Sequence, residues 1–277
     1  MQLGYHTNGL QNHRLEDALE LLAAHGYEAV AITPDTCHLD PTRVTDRELD
    51  DVAARLRDLG LTPILETGAR FVLDPRHKHE PTLMTRDPAA RSRRLDFYGR
   101  IAAIGARLGA RTVSFWSGID HSPGADSVDW LLAGVAAASD RIRAEGLEPA
   151  LEPEPGMAVE TVADWHRVRH ALGAGAPALT LDIGHLYAVP EGDPAAVVRK
   201  NAFFLAQVHL EDMRHRVHEH LLPGTGDVAF DEVLTALQES GYERAVCFEL
   251  SRSSHLAPTA VQRCRELWDG LVRPSER

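Results

Sequence analysis

Short apolar runs alternate with stretches of helical period from one end of this chain to the other, and that alternation limits the fold more than any other feature. Strand-like runs fall at 2–6, 29–32, 62–65, 112–116, 147–151, 178–181, 203–208 and 245–248. Helical patterns fall between and after them, at 14–25, 46–59, 89–108, 128–144, 160–172, 194–201, 230–239 and 258–270. The first helix shows the rule: Leu15, Ala18, Leu19 and Leu22 recur on one face and Gly26 follows as a stop. Strands joined through helices lie parallel, with their C-terminal ends on one side. Eight such units in 277 residues match the size of a (β/α)8 TIM barrel, so the expectation is one α/β barrel domain over 1–277. A doubly wound open sheet is the alternative. It calls for a glycine-rich phosphate turn after the first strand, and His6-Thr7-Asn8-Gly9-Leu10 is not one.

Four of the later runs end in a group that can bind a metal. They lead into Glu152, into Asp182 with His185 three residues on, into His209 and into Glu249, at steps of 30, 27 and 40 residues. Each step is about one crossover, so three carboxylates and an imidazole converge on the end of the barrel where such folds keep their chemistry. That donor set suits one divalent ion, with Mn²⁺, Co²⁺, Mg²⁺, Zn²⁺ and Fe²⁺ all compatible. An ion there can stabilise an enediolate while one carboxylate removes the proton α to a carbonyl and another returns one. Plainer readings stand beside this. Glu154 competes with Glu152, being two residues on and on the same side of an extended chain. Asp182 can cap a turn, and Glu249 can pair with Arg252. Glu211 and Asp212 can lie near the metal, but are rather expected to face solvent or order the loop.

These residues resemble the xylose-isomerase-like barrels, or sugar phosphate isomerase/epimerase superfamily. In that family a glutamate ends strand five, Asp-x-x-His ends strand six, a histidine ends strand seven and a glutamate ends strand eight. His220-Leu221-Leu222-Pro223-Gly224-Thr225-Gly226 also looks like the family's loop after strand seven. The resemblance implies that Glu152, Asp182, His209 and Glu249 hold the metal and that Glu152 and Glu249 are also the catalytic acid/base pair. It implies that His185 contacts a substrate oxygen. An arginine after the strand-seven histidine is expected to join it, with Arg214 and Arg216 both near and His215 and His220 as rivals. The implied activity is isomerisation or epimerisation of a sugar, sugar derivative or cyclitol, with dehydration of a keto-cyclitol as the alternative. Endonuclease IV relatives use extra histidines for a three-zinc cluster, and His6, His38, His121 and His218 are candidates for that role. A non-catalytic binding barrel is the remaining option. Family members often pair through barrel-end helices, so the resemblance leaves a homo-oligomer open.

Further substrate contacts are expected from His6 at the end of the first strand, from Glu66 at the end of the third and from Trp116 at the end of the fourth. Trp116 serves equally well as core packing. Arg252 or His255 can bind an anionic or polyhydroxylated end of the substrate. The long loop after strand three, about 69–88, carries Arg70, Arg76, His77, Lys78, His79 and Arg86 and suits a lid or clamp. The basic stretch 70–94 hints at an anionic group on the substrate, or else its arginines balance nearby carboxylates. A net charge of −12 argues against a general nucleic-acid binder. No run approaches the roughly 18 apolar residues of a membrane span, and the N-terminus lacks signal-peptide regions. The chain is therefore expected to be cytoplasmic, acting on a small carbohydrate or cyclitol with no membrane or nucleic-acid partner. Cys37, Cys247 and Cys264 read as buried thiols of a reducing compartment.

Overall fold

A computed structural model describes residues 1–124 and 126–272. The barrel strands are β1 (Gln2–His6), β2 (Ala29–Ile32), β3 (Thr62–Glu66), β4 (Thr112–Trp116), β5 (Glu148–Glu152), β6 (Ala178–Asp182), β7 (Leu205–Leu210) and, last in the chain, β10 (Ala245–Phe248). All pair in parallel and close in the order β1-β10-β7-β6-β5-β4-β3-β2. The barrel expected from the alternation is therefore the fold, and the open sheet is excluded by the β1–β10 closure. The expected single domain 1–277 runs on into 273–277, which lie outside the described residues.

The helices are α1 (Leu15–Ala24), α2 (Asp46–Leu59), α3 (Pro88–Leu108), α4 (Ser127–Ala144), α5 (Val162–Leu172), the one-turn α6 (His185–Ala188), α7 (Pro194–Asn201), α8 (Phe230–Glu239) and α9 (Ala257–Leu271). Local chemistry sets their ends. Thr45 and Glu48 close a capping box on α2, Thr161 and Asp164 close one on α5, and Asp87 caps α3 with Pro88 in its first turn. At the C-terminus of α2, Gly60 takes φ 69°, the left-handed turn that glycine adopts without a Cβ clash.

Along each strand, side chains alternate between the helical layer and the barrel interior. Leu3, Tyr5, Val30, Ile32, Leu65, Val113, Phe115, Leu151, Leu179, Leu181, Val208, Val246 and Phe248 join one large core with the helices. A second, separate cluster holds only Ala29, Ala31, Ile64, Ala245 and Cys247. These residues, all small except Ile64, plug the barrel, and the tight fit shows at Gly4, where an added Cβ would sit 2.3 Å from Cys247 Sγ. Above that plug the inward positions turn polar, with His6, Glu66, Glu152, Asp182, Gln207 and His209 all buried.

Three expectations need correction here. Strand seven starts at Leu205, because Phe203 and Phe204 belong to a 3₁₀ turn and Phe203 is 92% exposed. The loop after strand seven is partly an antiparallel hairpin, β8 (Asp212–Arg214) with β9 (Val217–Leu221). Cys37 is exposed, while Cys247 and Cys264 are buried as expected. No described helix is long and apolar enough to cross a membrane.

Candidate metal centre

At the C-terminal end of the barrel, Glu152 from β5, Asp182 from β6, His209 from β7 and Glu249 just past β10 each turn a ligand atom into one space, all within 4.8 Å of one another. Strand pairing brings them there: Asp182 is in register with His209, and the Glu249 amide donates to the Leu210 carbonyl at 3.0 Å. His209 Nδ1 faces Glu152 Oε1 at 3.1 Å, Glu249 Oε2 at 3.2 Å and Asp182 Oδ2 at 4.0 Å. Its Nε2 faces Glu66 Oε1 at 3.3 Å, and Gln207 sits beside it with its amide donating to Glu66 at 2.7 Å.

Asp182 shows that the turn reading and the ligand reading are compatible. Oδ1 accepts the His185 backbone N–H at 3.0 Å and fixes the start of α6, whereas the buried Oδ2 has no hydrogen-bond partner. A buried carboxylate oxygen without a partner is costly, and a cation shared with Glu152, His209 and Glu249 relieves that cost. The donors, three oxygens and one nitrogen, fit a divalent ion of intermediate hardness. These four residues would hold it.

The buried site orders its own charges. Burial pushes Glu152 up to about 8 against the opposing pull of His209. Burial also works on Glu249, but His6 and the hydrogen bond from His209 outweigh it and hold that carboxyl well below its usual range. In His209, burial disfavours the charged form, but Glu152 and Glu66 prevail and raise it well above the usual imidazole range. His6 meets His209 edge-on with ring centres 4.3 Å apart. Burial and then His209 depress it to about 4.

The centre forms the floor of a cavity of about 660 Å³ whose lining includes His6, Glu66, Arg70, Trp116, His220 and Arg252. Trp116 is thus a cavity wall, with the buried Arg94 guanidinium stacked behind it at 4.4 Å. His185 donates Nδ1–H to the Pro153 carbonyl at 3.0 Å and turns Nε2 toward Asp182 and Glu154, at 3.4 and 3.6 Å. Glu154 lines the cavity alongside Glu152. Two other triads, His6–Glu66–His209 and Glu154–His185–His218, also place ligand atoms within 4.8 Å of one another.

Several expected residues go elsewhere. Arg214 is exposed, pairs with Glu219 at 2.9 Å and does not line the cavity. His121 pairs with Glu80 on the surface and His38 bonds the His13 carbonyl. Arg252 does not pair with Glu249 but donates to the His218 carbonyl at 3.3 Å. Glu211 and Asp212 do not face solvent, since both are fully buried. Asp212 does order the loop: its carboxylate accepts the backbone N–H groups of Met213, Gly224, Thr225, Gly226 and Val228. The sequence reading missed Gln207, although its place two residues before His209 on one strand face was a usable signal. It also missed Asn8, which donates to Glu249 Oε1 at 2.7 Å.

Comparison with known proteins places the chain. A family profile described as a xylose isomerase-like TIM barrel matches residues 19–267. An inosose dehydratase of Lacticaseibacillus casei is 26% identical over 149 residues, which are 47% of this chain and 50% of that protein. The chain thus spans about half the length of the curated relative it matches. Among solved structures, D-allulose 3-epimerase from Methylomonas sp. in complex with D-allulose superposes with a TM-score of 0.78 at 16% identity, covering 98% of this chain and 97% of that one. An IOLI protein with a binding zinc atom gives 0.79 at 21% identity, covering 98% of both chains. By the profile match, which takes in most of its length, the chain belongs to the xylose isomerase-like TIM barrel family.

Proposed function

We propose that this protein is a divalent-metal-dependent isomerase or epimerase of a sugar, sugar derivative or cyclitol, working by proton transfer α to a carbonyl. The observation that carries the reading is the pair Glu152 and Glu249. They flank His209 Nδ1 at 3.1 and 3.2 Å, and both line the floor of the same cavity. Two carboxylates that face one reaction space can work as a base and an acid on a single substrate. When bound by Glu152, Asp182, His209 and Glu249, the ion supplies Lewis-acid charge for the oxygen beside the reacting carbon. One carboxylate takes the α proton, the other returns one from across the site, and the roles exchange in the reverse direction. His185 does not line the cavity, and its buried Nε2 faces Asp182 and Glu154, so it would hold a substrate hydroxyl only beside those two carboxylates. Trp116 walls the cavity and helps exclude water. The D-allulose bound to one structural neighbour and the zinc bound to another agree with this chemistry.

Dehydration is the second reading, favoured by the partial similarity to an inosose dehydratase. It begins with the same proton removal and differs in what leaves. A three-zinc phosphodiesterase of the endonuclease IV type ranks below both, and metal count separates it. The test is incubation of metal-loaded protein with ketoses, hydroxypyruvate and an inosose in D2O, followed by NMR. Deuterium at the α carbon with an epimer or isomer supports the proposal, and loss of water moves the assignment to a lyase. No exchange with any compound, in a protein that holds its metal, would remove the isomerase and lyase readings together.

A further inference from the structure

We infer that the substrate carries an anionic group, a phosphate ester or a carboxylate, at the end remote from the reacting carbon. This rests on the isomerase reading for the floor of the cavity but is drawn from its rim. The floor is acidic, with Glu66, Glu152, Glu154 and Glu249, whereas the rim carries three cations, Arg70, Lys78 and Arg252. They come from the loops after β3 and β10, and the rim between them is lined by the loops after β1 and β2. In a chain of net charge −12 with only two lysines, three cations at one cavity mouth call for an explanation.

Neutralising the floor is not that explanation. Among the described residues, none of the three cations pairs within 4.0 Å with Glu66, Glu152, Glu154, Asp182 or Glu249. Arg70 pairs with Asp35 at 3.3 Å, Arg252 donates only to the His218 carbonyl at 3.3 Å, and Lys78 has no carboxylate partner. Asp35 is thus the one lining carboxylate outside the floor, it is taken up by Arg70, and Lys78 and Arg252 have no carboxylate partner among the described residues.

The backbone also holds this rim in place at a cost. Arg70 and His79 both sit in the left-handed region, at φ 42° and 69°, without being glycine. They lock the loop's base, with His79 N donating to the Arg70 carbonyl at 2.6 Å and Arg70 N bonding His79 Nδ1 at 3.1 Å. His79 rests edge-on against Trp116 at 5.2 Å, and its neighbour Lys78 lines the same cavity as Trp116. Strain of this kind persists where the surroundings over-determine the position, often at ligand clamps. An anion bridging Lys78 and Arg252 gains charge-assisted hydrogen bonds that a neutral hydroxyl cannot match.

The test uses the metal-loaded full chain and three probes that differ at the far end: fructose, fructose 6-phosphate and fructuronate. Calorimetric titration reads binding and α-deuterium incorporation reads turnover. The expected result is that at least one anionic probe binds about tenfold or more tightly than fructose, that Lys78→Ala and Arg252→Ala each reduce this preference about tenfold, and that added salt shrinks it. The phosphate and carboxylate arms show which anion fits. Equal binding of all three probes, no binding by any, or a preference that survives both substitutions overturns the inference. If the anionic preference appears without exchange in any probe, the proton-transfer reading falls and the anion subsite stands.

Discussion

Replacing Asp212 by asparagine should loosen one wall of the cavity by an amount that the structure sets. Oδ2 accepts three backbone N–H groups, from Gly224, Thr225 and Gly226, each at 2.8 Å, and Oδ1 accepts two, from Met213 at 3.0 Å and Val228 at 3.1 Å. An asparagine must set its NH2 against one group or the other, so at least two backbone donors lose their acceptor. Hydrogen bonds to a charged group contribute about 1.5–3 kcal/mol each, so the loss is roughly 3–6 kcal/mol. The hairpin that Asp212 opens ends in β9, which brings His218 and His220 to the cavity. The loss should therefore appear first as local opening. Hydrogen exchange at the amides of 224–228 should accelerate by about a hundredfold or more, with poorer binding of any compound that occupies the cavity. Protection at these amides within about threefold of wild type would refute the reasoning.

Three further outcomes follow from the geometry. Gly184→Ala should destabilise the protein by about 2 kcal/mol or more in a denaturant titration, because its Cβ would lie 2.0 Å from Glu211 Oε1 and 2.7 Å from Met213 Cε. Metal binding at pH 7 should release at least one proton, since in the ion-free protein Glu152, raised to about 8 by burial, and His209, raised well above the imidazole range by Glu152 and Glu66, hold at least one proton between them. Titration calorimetry in buffers of different ionisation enthalpy reads that release, and affinity should rise with pH until about 8. The depressed His6, near 4 against 6.5 unfolded, binds its proton more readily in the unfolded chain. Its contribution is therefore present above about 6.5 and lost as pH falls to about 4, and His6→Gln should flatten the stability profile in that window.

The fold was legible because each unit repeats one physical pattern, an apolar strand followed by an amphipathic helix, and the helix ends carry their caps in the adjacent sequence. The four candidate ligands were legible for the same reason: Glu152, Asp182, His209 and Glu249 each follow directly on an apolar run. Phe203 and Phe204 extended such a run misleadingly, since composition does not separate a strand from an aromatic turn. Gln207 was within reach of the two-residue period. Asp212 was not, because its partners are loop amides up to 16 residues away that meet only once the hairpin forms. Arg214 failed for the complementary reason. Proximity in sequence to His209 does not decide direction, and the hairpin carries that side chain out to Glu219.

The central claim is a metal centre built from Glu152, Asp182, His209 and Glu249, and elemental analysis of the purified protein beside His209→Ala and Glu152→Gln tests it most directly. The account predicts about one equivalent of a divalent metal per chain, retained through dialysis by the wild type and lost by both variants. No metal after reconstitution with Mn²⁺, Co²⁺, Mg²⁺, Zn²⁺ and Fe²⁺ in turn, or about three equivalents of zinc, would contradict it.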